Sequence, residues 1–378
     1  MLWIAWKMLI GNRAKYLGIV FGVAFAALLI AQQSSIFCGL MALTVSQILD
    51  VEGADIWVMD PKVKFVDDVK PMADTNLFRV RGVPGVEWAV RFYKGVARAR
   101  LPGGEYEQVI LLGIDDATFV GAPLSMVEGS IDDLRIPDSV IMDVVGYGKL
   151  WPGEPFERGR TIEMNDRRAV VVGLARARKT FQSFPVVYSR YSQAIRFAPP
   201  ERKVLSFVLA SPTAGEDAAG VARRVEEQTG LQALTRKEFL RKTIVYYLGH
   251  TGIPLNFGIT VLLGFLVGTA IAGQTFYLFI VENIRQFGAL KAMGTGNGTI
   301  LLMVVAQALH VGVVGLGFGV GLAALFGWGT QGLAKLSFYM PWQVLAMTAS
   351  AVFVIVLLAS LLSIRKVFVL DPAVVFRS

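Results

Sequence analysis

The side chains that could do chemistry lie close together in one short stretch, residues 282–294. Four of its first five residues carry a charge or a side-chain amide, and the stretch lies between two long uncharged runs. This pattern favours a short polar helix that docks a cytoplasmic partner, and a basic connecting loop is the alternative. The candidate contact residues are Glu282, Arg285, Gln286, Phe287, Leu290, Lys291, Met293 and Gly294.

Other signatures of reaction chemistry do not occur in the sequence. It has no G-x-x-x-x-G-K-[ST] phosphate loop, no H-E-x-x-H zinc motif and no G-x-S-x-G nucleophile motif. Cys38 is the single cysteine, and His250 and His310 have no other histidine near them. Acidic pairs at 115–116 and 132–133 are more typical of solvated loops than of a calcium site. We therefore expect a chain that is not an enzyme and binds no cofactor or metal itself.

The composition is that of a membrane protein. Charged residues make up 17% of the chain and the mean hydropathy is +0.54, whereas soluble proteins have about 25% charged residues. Four stretches contain no Asp, Glu, Lys or Arg, namely 16–49, 243–281, 292–334 and 336–364. Each is longer than the roughly 20 apolar residues that cross a bilayer, so we expect four transmembrane helices. Their lack of charge argues against an ion-coupled transporter.

The basic residues indicate how the chain lies in the membrane. Most of those outside residues 50–250 flank one membrane side: Lys7, Arg13, Lys15, Arg285, Lys291, Arg365, Lys366 and Arg377. Because cytoplasmic loops carry an excess of Lys and Arg, both termini and residues 282–298 are expected in the cytoplasm. The formal net charge of +8 reflects this asymmetry, and no nucleic-acid partner is expected.

These observations predict the fold class: a membrane protein of four transmembrane α-helices with a large mixed α/β extracytoplasmic domain between the first and second helices. The first two uncharged runs are longer than a bilayer requires, so each is expected to include a stalk. The predicted segments are a cytoplasmic amphipathic helix (1–16), a transmembrane helix and stalk (17–49), a periplasmic α/β domain (50–242), a stalk and transmembrane helix (243–281), a cytoplasmic coupling loop (282–298), a transmembrane helix (299–330), a short periplasmic loop (331–341), a transmembrane helix (342–364) and a cytoplasmic tail (365–378).

The α/β domain is expected to be a ferredoxin-like or other split β-α-β arrangement. A helix is predicted over 214–229, with Gly230 ending it. The P-G-G sequence at 102–104 predicts a hairpin. Alternating and β-branched runs predict strands at 54–59, 86–101, 106–114, 139–142, 161–164, 169–173, 206–209 and 231–234.

Glycines in the apolar stretches predict close packing between helices, because small residues four apart let two helix backbones approach. The candidate packing residues are Gly264, Gly268, Gly315, Gly317, Gly319 and Gly321. The G-x-G-x-G run among them follows no strand and lies inside an apolar stretch, which excludes a nucleotide-binding loop.

Three stretches resemble those of a known family. Residues 282–294 are similar to the E-x-x-x-E-x-[AG]-x-L-[KR]-A-x-G signature of the FtsX-like permeases of the MacB (type VII) ABC transporter class. Gln286 stands where many members carry Glu. Asp371, Pro372 and Arg377 resemble the short C-terminal helix of these proteins. Residues 251–268 resemble the second span of the DevC-like branch, which is the nearest branch within the class.

The resemblance implies a permease subunit of an ABC exporter in the inner membrane, forming a homodimer. A separate cytoplasmic ABC ATPase dimer would bind ATP and Mg, and a periplasmic adaptor protein and membrane lipids are further implied partners. ATP hydrolysis would move the periplasmic domains by mechanotransmission and export a lipid, glycolipid or hydrophobic compound. The implied contacts with the ATPase are polar at Arg285, Gln286 and Lys291, and hydrophobic, as one knob, at Phe287, Leu290 and Met293.

Two alternatives share this topology. One is an FtsX-like transmembrane signal transducer that controls a cell-wall hydrolase. The other is a LolC/LolE-like lipoprotein extractor. A large external domain and the DevC-like second span favour the exporter over the signal transducer.

Overall fold

The computed structural model describes residues 1–101, 103–199, 205–330 and 336–368. The chain divides into two compact units. Met1–Leu40 and Gly252–Ser378 form one, called here the membrane unit, and Met41–Thr251 form the other, called here the α/β unit.

The helices in chain order are α1 (Leu2–Ile10), α2 (Arg13–Thr44), α3 (Ser46–Asp50), α4 (Thr75–Arg81), α5 (Val144–Leu150), α6 (Tyr191–Phe197), α7 (Ala218–Thr229), α8 (Arg236–His250), α9 (Ile253–Glu282), α10 (Ile284–Ala292), α11 (Asn297–Thr330) and α12 (Trp342–Phe368). The strands are β1 (Ile56–Met59), β2 (Val86–Arg100), β3 (Tyr106–Ile114), β4 (Ser125–Glu128), β5 (Ser139–Asp143), β6 (Thr161–Met164), β7 (Arg167–Arg176), β8 (Val186–Arg190), β9 (Phe207–Pro212) and β10 (Gln232–Thr235).

Four helices of the described chain are long and apolar enough to cross a membrane. They are α2, α9, α11 and, over Trp342–Ile364, α12. The mixed α/β unit lies between the first and second of them in sequence. The predicted fold class is therefore confirmed.

The first apolar helix differs from its predicted bounds. It begins at Arg13, within the segment 1–16 that was predicted to be a separate amphipathic helix, and it ends at Thr44. At 32 residues it is about 48 Å long, since each residue adds about 1.5 Å. The short helix α3 follows after one residue.

The second predicted stalk and span, residues 243–281, is not one continuous helix. The helix α8 ends at His250 and α9 begins at Ile253. Pro254 lies in the first turn of α9, where its missing N–H has no intrahelical partner to lose. Its position therefore marks the start of the second apolar helix.

Glycines pack α9 and α11 against α2 as predicted at four positions. A methyl group added at Gly264 would lie 3.2 Å from Cβ of Leu29, and one added at Gly268 would overlap Ala26. At Gly315 and Gly319 the added carbon would lie 2.7 Å from Val23 and 2.5 Å from the backbone oxygen of Ala24. At these four positions the backbones of α9 and α11 approach α2 closely because glycine lacks a side chain.

The structure does not bring Gly317 and Gly321 against another helix of the described chain. Both are exposed on α11 and would have nothing within 4 Å of an added Cβ. The physical reason is the helical period, because residues two positions from Gly315 and Gly319 lie on a different side of the helix.

The α/β unit is built on a sheet whose first four strands have the predicted ferredoxin-like arrangement. Their spatial order is β10-β1-β9-β2 and every neighbouring pair is antiparallel. Helix α4 connects β1 to β2, and α7 connects β9 to β10. This β-α-β-β-α-β order, with a long insertion between its second and third strands, confirms the split β-α-β prediction.

The insertion forms a closed ring of six strands that shares β2 with the ferredoxin-like part. The neighbours run β2-β3-β8-β5-β7-β6 and back to β2. The long strand β2 belongs to both parts of the sheet. It pairs with β9 of the ferredoxin-like part through Phe92 and with β3 of the ring from Tyr93 onward. The predicted hairpin is confirmed, because Arg100 pairs with Tyr106 across the turn.

Each face of the sheet is covered by a hydrophobic core. Residues of α4, α5, α6 and α7 pack on one face, among them Val80, Tyr147 and Val225. On the other face Trp57 meets the rings of Phe207 and Phe239, each at a centroid distance of 5.4 Å. Phe239 belongs to α8, so the helix that precedes the second apolar helix also covers the sheet.

Sequence patterns missed the shorter elements α4, α5, α6, β4 and β8. Each has seven residues or fewer, which is too short for a periodic pattern to show clearly. The predicted helix over 214–229 begins later, at Ala218, since the Asp217 carboxylate caps it by accepting the Gly220 N–H. Gly230 ends it with a φ of 68°, as predicted.

Candidate functional site

The stretch singled out by its chemistry forms the helix α10, directly after the second apolar helix. Asn283 separates α9 from α10 with non-helical angles of φ −91° and ψ 11°. Its side-chain amide donates to the carbonyl oxygen of Phe279 at 2.8 Å, and its backbone N–H donates to the same oxygen. These bonds satisfy a carbonyl group at the end of α9.

The end of α10 explains the glycine at position 294. Gly294 has a φ of 90°, a conformation that costs little only for glycine. Its N–H donates to Lys291 O at 2.9 Å, and the N–H of Thr295 donates to Leu290 O at 3.0 Å. This is the Schellman arrangement, which satisfies the last carbonyl groups of a helix.

Two of the three residues predicted to form a hydrophobic knob are buried inside the membrane unit. Phe287 is 0% exposed and lies in a core cluster with Leu9 of α1 and Ile300 of α11. Leu290 is 5% exposed and packs with Ala5 and Met303. The knob prediction was therefore wrong for both residues, because the apolar face of a short amphipathic helix turns toward the bundle beside it.

The opposite face of α10 is exposed and mostly polar. Arg285 and Gln286 are exposed, Lys291 is half-buried, and Met293, just past the end of the helix, is 74% exposed. Met293 is thus the one member of the predicted knob that is accessible. The exposed groups offer a cation, an amide and a large apolar side chain to another surface.

Glu282, the first residue of the predicted contact set, is engaged within the chain. Its carboxylate forms an ion pair with Lys15 near the start of α2, and both side chains are partly exposed. Exposed pairs of this kind contribute at most about 1 kcal/mol to stability. The pair joins the end of α9 to the start of α2, a contact for which the sequence gives no local signal.

Helix α1 is a part of this site that the sequence motif does not include. Its residues Ala5 and Leu9, four positions apart, are buried against the other helices, and this spacing was the available signal. Gln307 of α11 donates from Nε2 to Ala5 O at 2.6 Å. His310, one turn further on, hydrogen-bonds the Tyr16 hydroxyl at 3.0 Å and contacts the ring of Trp6.

An open groove lies between α1 and α10. It has a volume of about 470 Å³. Lys7 and Asn12 line it from the α1 side, and Asn283 and Gln286 from the α10 side. Trp3, which is 69% exposed, also lines the groove, and the ammonium of Lys7 lies 5.1 Å from the centre of its ring.

The comparisons with known proteins cover most of the chain. Residues 16–228 match the MacB-like periplasmic core domain, and residues 258–372 match the FtsX-like permease C-terminal domain. The first match alone includes more than half of the 378 residues. The chain belongs to the MacB/FtsX-like permease family.

Curated relatives of this family member include uncharacterized ABC transporter permeases of Mycobacterium bovis and of Mycobacterium tuberculosis. Each is 32% identical over 115 residues. The aligned part spans 29% of this chain and 31% of each relative, so the match extends over only about a third of the relatives' length.

Two solved structures are similar to part of the family member. The extracellular domain of the noncanonic ABC-type transporter YknZ from Gram-positive bacteria is 16% identical, with a TM-score of 0.36 over 48% of this chain and 98% of that one. The periplasmic region of MacB from Actinobacillus actinomycetemcomitans is 14% identical, with a TM-score of 0.39 over 54% of this chain and 96% of that one.

The family matches leave α1 outside, because the first begins at residue 16. They include Asp371 and Pro372 of the predicted C-terminal motif, although these two residues and Arg377 lie outside the described residues. Within the described chain, α10 and α1 are therefore the elements that define the candidate site.

The acidic pairs noted in the sequence cap turns of the α/β unit. Asp115 accepts the backbone N–H groups of Ala117 and Thr118 at 3.2 and 2.9 Å. Asp133 caps the turn that begins after Ser130 and pairs with Arg158 at 2.7 Å. Among the described residues no group of three or more His, Cys, Asp or Glu is placed to hold a metal ion.

Proposed function

We propose that this chain is the permease subunit of an ABC exporter and that the exposed face of α10 docks a separate ATPase subunit. The observation that carries the proposal is that α10 has one buried face and one exposed face. Phe287 and Leu290 fix the helix to the membrane unit, while Arg285 and Met293 remain exposed. Membership of the MacB/FtsX-like permease family supports an ATPase partner.

The same arrangement supports mechanotransmission. The buried face of α10 packs with residues of α1 and α11, and protein interiors are too closely packed to absorb a displacement. A push on the exposed face would therefore move these helices together. In the proposed exporter, ATP and Mg bind the ATPase dimer, and the motion passes on to the periplasmic domain.

The remaining features of the proposal follow the family resemblance and the charge pattern. The chain lies in the inner membrane with both termini and α10 in the cytoplasm, since the basic residues flank that side. It forms a homodimer and works with a periplasmic adaptor protein, as a DevC-like permease would. The exported compound is a lipid, a glycolipid or another hydrophobic molecule.

A pair of substitutions in the coupling segment tests the docking role. Met293→Asp puts a charge on an exposed position, so we expect the membrane unit to fold and the ATPase subunit to co-purify at least about tenfold less. Leu290→Asp buries a charge without a partner, which destabilises the unit itself. Co-purification from detergent, together with the thermal unfolding midpoint of each variant, separates the two effects.

Thr75→Asp is the matched control for the added charge. Thr75 is exposed at the start of α4 in the α/β unit, where an aspartate suits the helix N-terminus. It should leave both stability and co-purification unchanged. Normal recovery of the ATPase with the folded Met293→Asp chain would refute docking at this face.

A further inference from the structure

We propose that the groove between α1 and α10 binds the headgroup of an anionic phospholipid. Its lining contains donors suited to a phosphate, which are the ammonium of Lys7 and the side-chain amides of Asn12 and Gln286. No carboxylate is among its lining residues in the part of the chain that the structure describes. The groove is open, as a site filled sideways from a lipid layer must be.

The hydrogen bonds of the two asparagines divide their roles. Asn12 uses its side-chain oxygen to accept the Lys15 N–H at 3.3 Å, which leaves its NH₂ group to donate to a ligand. Asn283 instead uses its NH₂ group for Phe279 O. Donation to a phosphate therefore comes from Lys7, Asn12 and Gln286.

The surroundings of the groove match the interface of a membrane. Trp3 and Trp6 of α1 are 69% and 46% exposed, and tryptophan is enriched at the headgroup level of bilayers. Leu17 and Phe21, in the first turns of α2, are also exposed. Basic pockets beside transmembrane helices are suited to lipid headgroups.

Lys7 makes the lining of the groove positive, and the residue at position 286 leaves that charge without an opposing carboxylate. A glutamate there would place a carboxylate among the donors and repel a phosphate, whereas Gln286 offers an N–H donor of the same size. The neutral residue at this point of the coupling segment thus suits a lipid site. With Gln286 in the groove, Arg285 and Met293 remain for the ATPase.

The binding test uses the full chain in detergent, stripped of native lipid. Dioleoyl phosphatidylglycerol and dioleoyl phosphatidylcholine are added separately, and bound lipid is counted by native mass spectrometry. We expect one retained phosphatidylglycerol, held at least about fivefold more tightly than phosphatidylcholine, which is the effect of one basic residue near an anionic surface.

Substitutions at exposed positions locate the site. Lys7→Gln and Gln286→Glu should each reduce the preference for phosphatidylglycerol about fivefold, and Gln286→Lys should increase it. Gln228→Glu makes the same chemical change on the exposed face of α7 in the α/β unit and should have no effect. Excess inorganic phosphate should not displace the lipid, since the acyl chains supply part of the binding.

Equal retention of the two lipids, an unchanged preference in Lys7→Gln and Gln286→Glu, or displacement by inorganic phosphate would each overturn the lipid assignment. So would a loss of ATPase co-purification in these variants without any change in lipid preference, because the groove would then belong to the protein partner. The lipid measurement needs neither the ATPase nor a defined orientation, so its failure is distinguishable from failure of the proposed function.

Discussion

Single residues in this chain divide into those that shape the backbone and those that offer a surface. Gly294 is an example of the first kind, because its φ of 90° ends α10 and an added Cβ would meet nothing within 4 Å. Its place in the signature is therefore explained by backbone geometry, whereas the sequence predicted a contact residue. Met293 beside it is of the second kind.

The glycines of α11 give a matched pair for testing helix packing. Gly319→Ala would place a methyl group 2.5 Å from both the Ala24 oxygen and the Ala27 Cβ, whereas Gly317→Ala would meet nothing. We expect the first to lower the free energy of unfolding by about 1–3 kcal/mol. The second should be neutral or slightly stabilising, because alanine favours a helix.

Denaturant titration of the two variants in detergent, followed by circular dichroism, measures this difference. Gly268→Ala, which would overlap Ala26 of α2, should behave like Gly319→Ala. Equal stability of Gly317→Ala and Gly319→Ala would contradict the described packing of α11 against α2.

Helices and strands were predictable from the sequence where the structure demands a minimum length of apolar residues or a regular alternation of apolar and polar residues. The four apolar helices follow from the thickness of a bilayer, and the long strands β2 and β3 follow from alternation and the turn between them. The inward face of an apolar helix does not follow, because every side of α11 is hydrophobic. Gly315 and Gly317 could therefore not be distinguished before the structure placed α2.

The direction in which α10 faces was unpredictable for a related reason. The spacing of Phe287 and Leu290 correctly indicates one apolar face. Such a face can pack either on a partner protein or on the other helices of the same chain, and the spacing is the same in both cases. Only the positions of Ala5 and Met303 decide between them. The donors of the groove were equally hidden, since Lys7 and Gln286 are far apart in sequence.

The short helix α3 offers a prediction about an ion pair with unequal partners. Asp50 is 5% exposed and accepts the Arg178 backbone N–H at 2.9 Å and its guanidinium at 2.8 Å. The guanidinium side chain is about half exposed. Arg178→Ala should therefore cost about 2 kcal/mol, more than Asp50→Ala, because it leaves a buried carboxylate with fewer partners.

The penalty should depend on pH in a defined direction. Burial raises the pKa of Asp50 even with Arg178 present, and removing Arg178 raises this pKa further. Between the unfolded pKa of about 3.9 and the raised folded pKa, the folded state binds more protons, so its stability falls as pH rises. The thermal unfolding midpoint of Arg178→Ala should be closer to wild type at pH 4.5 than at pH 8.

Asp50→Asn is the control for this pH effect, because it has no carboxylate to titrate and should show no such additional dependence. A penalty for Arg178→Ala that is equal or larger at pH 4.5 would contradict the described burial of Asp50.

In the whole molecule, membership of the family accounts for more of the chain than the motif at residues 282–294 does. A periplasmic-type α/β unit inserted between the first and second of four apolar helices is the organisation matched by both family domains. A split β-α-β arrangement was predictable from its strands and the helix α7, although no sequence pattern indicated α4. The closed ring was not, because it depends on which strands meet β2 and β7 in space.

In the proposed exporter, an ATPase subunit docks on the exposed face of α10. The most direct test places a photo-crosslinking amino acid at Met293, at Arg285 and, as a control, at Trp328, which is 76% exposed near the other end of α11. After irradiation of the assembled complex, we expect covalent ATPase adducts from Met293 and Arg285 and none from Trp328. No adduct from either α10 position, or adducts of equal yield from all three, would contradict docking at this face.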